Sequence, residues 1–132
     1  MDIPRRFTGI ARLYGEEIYQ KFASSHVCVI GLGGVGSWVA EALVRSAVGH
    51  LTLIDLDHVA ESNINRQLGA LDSTLGQAKV EVLAKRLRDI NPAVKLRLIE
   101  DFVDEHNYQT LLASAFSCVV DAIDQLKIKV LL

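Results

Sequence analysis

The chain has 132 residues, half of them hydrophobic and 23% charged, with a formal net charge of −2. That length suits one globular domain, and the near-balance of charge gives no sign of wholesale nucleic-acid or membrane binding while leaving room for a local basic surface. No apolar run approaches the ~18 residues of a membrane span, and residues 1–6 lack the apolar core of a signal peptide, so a cytoplasmic protein is expected.

Residues 1–25 read as a helical leader, with Leu13, Tyr14, Ile18 and Phe22 as an apolar stripe that packs on the domain or on a second subunit. From residue 26 onward, strand and helix signals alternate. His26–Ile30 is a short apolar run ending in glycines, as in a strand buried on both faces. A helix comes next over residues 34–47, closed by Gly49, and residues 51–55 form the second strand. A polar loop over residues 57–65 leads to a helix whose Val80, Leu83, Ala84, Leu87 and Ile90 recur at helical spacing, until Asn91-Pro92 stops it. Residues 94–100 alternate apolar and charged, as in a strand nearer the sheet edge. Asp104 caps a helix running to Ala113, and residues 117–122 form a fourth buried strand. Cys28 and Cys118 both fall in these apolar runs and read as small buried hydrophobes, neither metal ligands, nucleophiles nor a disulfide.

This rhythm predicts an α/β, Rossmann-like, doubly wound parallel sheet of order 3-2-1-4 with an N-terminal helix, occupying residues 26–132. The order reverses between strands 1 and 4, and ligands bind at the carboxyl ends of strands flanking such a switch. Residues 31–36 and 121–124 therefore belong to one pocket. The final stretch, residues 125–132, starts like a helix yet stops on Val130-Leu131-Leu132 without a cap, which suggests a fragment of a longer protein.

Gly31-Leu32-Gly33-Gly34-Val35-Gly36 matches G-x-G-x-x-G between a predicted strand and helix. Its glycines permit a tight turn and bring backbone N–H groups to phosphate, and the helix N-terminus favours the anion. Asp55 ends the second strand, where an acid hydrogen-bonds ribose hydroxyls. Alone, these features favour a dinucleotide such as NAD. The residues beyond β-strand 2 argue for a triphosphate: Asp55-Leu56-Asp57 is a double acid, and Ser62-Asn63-Ile64-Asn65-Arg66-Gln67 carries amides and a guanidinium. Gly76-Gln77-Ala78-Lys79 then opens the next helix with a lysine. There is no P-loop, so Arg66 and Lys79 are the cations available to phosphates from outside the glycine loop. Asp121-Ala122-Ile123-Asp124 ends the fourth strand. Asp124 is placed to hold magnesium, which takes one or two carboxylates plus phosphate oxygens and water, while Asp121 could instead bind backbone N–H groups.

In this order and spacing, the motifs resemble the ubiquitin-activating-enzyme-like adenylating superfamily, whose bacterial members activate sulfur carriers. The resemblance implies ATP and magnesium as ligands, ribose contact at Asp55, phosphate or adenine contacts at Asn63, Arg66 and Gln67, phosphate contact at Lys79, and magnesium at Asp124. It also implies a homodimer in which Arg12 enters the partner's site. Residues 6–15, 36–43 and 101–103 look like the tRNA threonylcarbamoyladenosine dehydratase branch, which implies a tRNA substrate. Gln125 departs from the small or amide residue common at that position, and the family's C-terminal half, with its substrate-facing loops, is missing.

The expected activity is therefore ATP-dependent cyclisation of threonylcarbamoyladenosine in tRNA through an adenylated intermediate. The catalytic cations would be Arg12, Arg66 and Lys79. Two rivals stand beside it: adenylation of a ubiquitin-like sulfur carrier, and a non-catalytic nucleotide-binding module. A nicotinamide oxidoreductase is more distant, because it leaves Lys79, Arg66 and Asp124 unexplained. A sulfur-transfer protein is a candidate partner.

Overall fold

A computed structural model describes residues 2–123. Four parallel strands, β1 (His26–Ile30), β2 (His50–Ile54), β3 (Lys95–Ile99) and β4 (Cys118–Asp121), lie in the order β3-β2-β1-β4, as the sequence predicts. The register aligns Ile30 with Ile54 and with Asp121, so the carboxyl ends of β1, β2 and β4 finish level.

Two crossovers run the same way along the sheet, from β1 to β2 and from β2 to β3. Right-handedness therefore places α3 (Gly36–Arg45) and α4 (Lys79–Ile90) together on one face. Their Ala40, Val44, Val80, Leu83 and Leu87 meet Val27, Val29, Leu51 and Leu53 in the main core. The crossover to β4 runs the other way and puts α5 (Tyr108–Leu111) on the opposite face, where Cys28, Ile30, Ile54 and Val103 are buried. Each large side chain buried here contributes about 1.5–3 kcal/mol. Among the described residues, no helix is long and apolar enough to cross a membrane.

Several local expectations change. The leading helix is two helices, α1 (Thr8–Tyr14) and α2 (Glu16–Ser24), because Gly15 between them has φ +91°, outside the helical region. Leu13 and Tyr14 are exposed, whereas Phe7 and Tyr19 pack with Ala47. The helix expected over residues 34–47 is shorter, and Ala47, at φ +75°, takes the left-handed position after it instead of Gly49. Asp104 does not cap the helix itself: it accepts the N–H groups of His106 and Asn107 at 2.8 Å in the preceding turn, and the helix is a single turn whose N-cap position is Asn107. Cys118 is exposed, not buried: α3 lies over β1 and α4 over β3, which leaves the start of β4 open.

Candidate functional site

The glycine loop turns directly off β1. Gly31 has φ +90°, and its N–H donates to the Ile54 carbonyl at 2.9 Å, tying the ends of β1 and β2. A Cβ on Gly36 would lie 1.6 Å from the Gly31 carbonyl oxygen, so the first turn of α3 closes on the strand end only with glycine there. Across the switch point, the Ala122 N–H donates to the Ile30 carbonyl at 2.9 Å, and a Cβ on Gly31 would touch the Ala122 carbonyl oxygen at 3.0 Å. The end of β4 thus abuts the loop, as the predicted strand order requires.

Asp55 comes directly after β2 and uses both carboxylate oxygens locally. Oδ2 accepts the Leu32 N–H and Oδ1 accepts the Asp57 N–H, each at 2.7 Å. A carboxylate has about four lone-pair sites, so capacity for ribose hydroxyls remains.

The next segment folds back over the glycines. The 3₁₀ turn Glu61–Asn63 buries Asn63, whose Oδ1 accepts the Ala60 N–H at 2.9 Å and whose carbonyl accepts the N–H of Arg66 and of Gln67. Asn63 therefore builds the loop that displays its neighbours. The stem of Arg66 lies 3.2 Å from where a Gly34 Cβ would be, and Gln67 Nε2 lies 3.7 Å from the corresponding point on Gly33. The Arg66 guanidinium is steadied by Nη1 donating to the Ser62 carbonyl and to Asn65 Oδ1, both at 3.0 Å.

Lys79 arrives from the other side. An isolated antiparallel bridge pairs His58 with Ala78, and the Lys79 N–H donates to the Asp57 carbonyl at 3.0 Å. That makes Lys79 the first residue of α4, with its side chain only 10% exposed and Nζ 3.8 Å from Asp57 Oδ2. Lys79 also lines a small cavity with Leu32 of the glycine loop, Ser37 and Gln67.

The structure thus gathers Gly31, Gly33, Gly34, Gly36, Asp55, Asp57, Asn63, Arg66, Gln67 and Lys79 around one turn. Arg12 stands apart: it is exposed on α1 and, among the described residues, makes no hydrogen bond or ion pair with the loop. Asp124 lies outside the described residues. Asp121 ends β4, and its Oδ1 accepts the Ile123 N–H at 3.2 Å, the backbone role foreseen for it.

Two positions escaped the sequence reading as site residues. Ser37 donates to the Gly33 carbonyl at 2.5 Å and accepts the Leu68 N–H at 3.2 Å, so it clamps the loop to the segment carrying Arg66 and Gln67. Trp38, half exposed, donates Nε1–H to the Arg66 carbonyl at 2.9 Å. Their only sequence signal was position: both lie in the first turn after the fingerprint.

A parallel 3-2-1-4 sheet with a glycine loop at its switch point, and with Arg66 and Lys79 carried by two later segments, defines a Rossmann-like α/β domain. The chain belongs to the ThiF family, whose family model matches residues 7–132. It is 50% identical over 125 residues to the Escherichia coli tRNA threonylcarbamoyladenosine dehydratase, covering 95% of this chain and 47% of that protein. It is 34% identical over 120 residues to the Salmonella typhimurium molybdopterin-synthase adenylyltransferase, covering 91% and 48%. The crystal structure of the E. coli dehydratase in complex with ATP superposes with a TM-score of 0.93 at 50% identity, covering 95% of this chain and 51% of that one. The chain spans about half the length of the curated relatives it matches.

Proposed function

We propose that the protein carrying this chain is an ATP-dependent tRNA threonylcarbamoyladenosine dehydratase, and that residues 31–79 supply most of its nucleotide site. The observation that carries the reading is the convergence of Arg66, Gln67 and Lys79 on a glycine loop in a chain 50% identical to a dehydratase over nearly its full length. The related dehydratase structures hold ATP and AMP, the substrate and a product that an adenylation and subsequent cyclisation require.

In this mechanism an oxygen of the threonylcarbamoyl group attacks the α-phosphate of ATP and pyrophosphate leaves. Internal attack by nitrogen then expels AMP and closes the ring. The oxygen removed from the nucleoside departs with AMP, so the net change is loss of water. Arg66 and Lys79 offset charge on the phosphates, and the loop N–H groups hold them in place. Positioning and electrostatics of this kind supply most of the rate in phosphoryl chemistry. Asp55 orients the ribose.

Magnesium belongs to the same reading. The groups near the loop are hard oxygen donors of the type it favours, and the carboxylate taken to hold it is Asp124, three residues past Asp121 at the end of β4. Bound there, the cation would neutralise phosphate charge. A homodimer in which Arg12 crosses to the partner's loop completes the cation set; the exposed Leu13 and Tyr14 beside Arg12 are the kind of surface such a contact covers. The reading also takes the protein to be cytoplasmic, with a sulfur-transfer protein as a candidate partner.

The test uses the full-length protein with ATP and tRNA bearing threonylcarbamoyladenosine. The expected result is one AMP released per nucleoside that loses water, and a loss of roughly tenfold or more with Lys79→Ala. AMP formation that requires a ubiquitin-like sulfur carrier instead of tRNA would replace this reading with the second one, which rests on the 34% identity to the molybdopterin-synthase adenylyltransferase.

A further inference from the structure

The glycine loop lies at the amino end of α3. At the carboxyl ends of α3 and α4 there is a second feature, a cleft of about 410 Å³ lined by Arg6, Phe7, Arg45, Arg86, Asp89 and Ile90. Its three arginines come from three elements: the 3₁₀ turn Arg5–Phe7, the last turn of α3, and α4. The chain as a whole carries a net charge of −2, so this gathering of cations is local.

Two of the arginines, Arg45 and Arg86, are held by Glu41, which is buried. Arg86 Nε donates to Glu41 Oε1, Arg86 Nη2 lies 3.5 Å from Oε2, and Arg45 Nε lies 3.3 Å from the same Oε2. These contacts, the Arg86 hydrogen bond foremost, keep the Glu41 carboxyl below its ordinary pKa, so it stays an anion and an anchor. Arg6 donates through Nη1 to the Ile90 carbonyl at 2.9 Å. A guanidinium has five donors, and these contacts use one or two from each, leaving the rest to a ligand. The side chains of Arg45 and Arg86 are 57% and 45% exposed, so those donors are reachable. The Glu41–Arg86 pair links α3 to α4, whereas Arg45 pairs with Glu41 within α3 and Arg6 meets the last carbonyl of α4.

We infer that this cleft binds a phosphodiester of the RNA substrate, an inference that rests on the proposed dehydratase function and names a second contact surface for it. Three arginines against Glu41 and Asp89 leave one net positive charge, which matches a phosphodiester better than a phosphomonoester or a polyphosphate. The planar guanidinium fork suits two oxygens of one phosphate, and Asp89 offers an acceptor to a ribose 2′-hydroxyl, the group that marks RNA. The ten residues of α3 span about 15 Å between the cleft and the glycine loop. An RNA that engages both places must therefore extend along at least the length of α3.

The test is the affinity of the full-length protein for unmodified tRNA over a salt series. Combining Arg6→Gln with Arg45→Gln leaves the Glu41–Arg86 brace intact. The expected result is a loss of affinity of about tenfold or more, and a fall of about 1–2 in the slope of log affinity against log salt. ATP affinity should stay at the wild-type value, and the variant should still melt cooperatively, with a midpoint lowered only by the loss of the Arg6–Ile90 and Arg45–Glu41 contacts. Lys85→Gln with Arg88→Gln removes the same charge from exposed positions of α4 outside the cleft, and should leave the slope near wild type. Equal losses in the two double variants, or wild-type binding with Arg6→Gln and Arg45→Gln, would overturn the cleft while the dehydratase reading stood. Failure of the wild-type protein to bind tRNA at any salt would overturn the RNA substrate itself, and the cleft with it.

Discussion

The carboxylate of Asp55 accepts the backbone N–H of Leu32 at 2.7 Å, joining two strand ends 23 residues apart in sequence. Its other oxygen fixes the Asp57 N–H, so one side chain sets both the glycine loop and the segment from which Asp57 meets Lys79. Asp55→Asn keeps the shape but puts an NH₂ donor against one of those N–H groups. The expected cost is about 1–3 kcal/mol in denaturant unfolding, the penalty for an unsatisfied, partly buried donor, together with weaker ATP binding. An unchanged unfolding midpoint would show that the loop holds itself without Asp55.

At the amino ends of β1 and β2, the rings of His26 and His50 stack with centroids 3.5 Å apart. His26 Nε2 is 2.7 Å from Thr52 Oγ1, and Phe116 meets the His26 ring edge-on. Burial lowers both pKa values below the ordinary 6.5, and for His26 the neighbouring His50 and Arg97, for His50 the neighbouring Lys95 and Arg97, push the same way. For bases shifted down on folding, the unfolded chain takes up protons first as pH falls. Stability contributed by the pair is therefore complete above the unfolded value and is lost as pH drops through about 6.5 toward the lower folded values. Thermal melts between pH 7.5 and 5 should show this decline, and His50→Gln should flatten it. An identical pH profile in that variant would place the acid sensitivity elsewhere.

Asp121 and Asp124 should separate in their response to magnesium. Asp121→Asn weakens the acceptor for the Ile123 N–H and is expected to lower the melting temperature with or without the cation. Asp124→Asn is expected to keep the fold and to weaken ATP binding chiefly when magnesium is present, because asparagine lacks the charge a hard cation favours. ATP affinity of both variants, measured with and without magnesium, decides the matter. Equal magnesium dependence in wild type and Asp124→Asn would remove Asp124 from the metal site.

Sheet order, the glycine loop at the switch point and the position of Lys79 at the head of α4 were all legible in the sequence, because each arises from a local pattern. Buried strands read as apolar runs, G-x-G-x-x-G forces a turn, and a right-handed crossover constrains where consecutive strands lie. The tertiary structure alone decided which partners those residues meet. No local pattern shows that Asn63 spends its side chain building a turn, that Ser37 and Trp38 hold the Arg66 segment, or that Cys118 stands where no helix covers it. Nor does any pattern bring Arg6, Arg45 and Arg86 to one cleft, since the three lie on separate elements. The physical reason is the same in each case. Periodicity reports which face of an element is buried, whereas a hydrogen bond or charge cluster depends on distances between elements far apart in the chain, and those exist only once the core has packed.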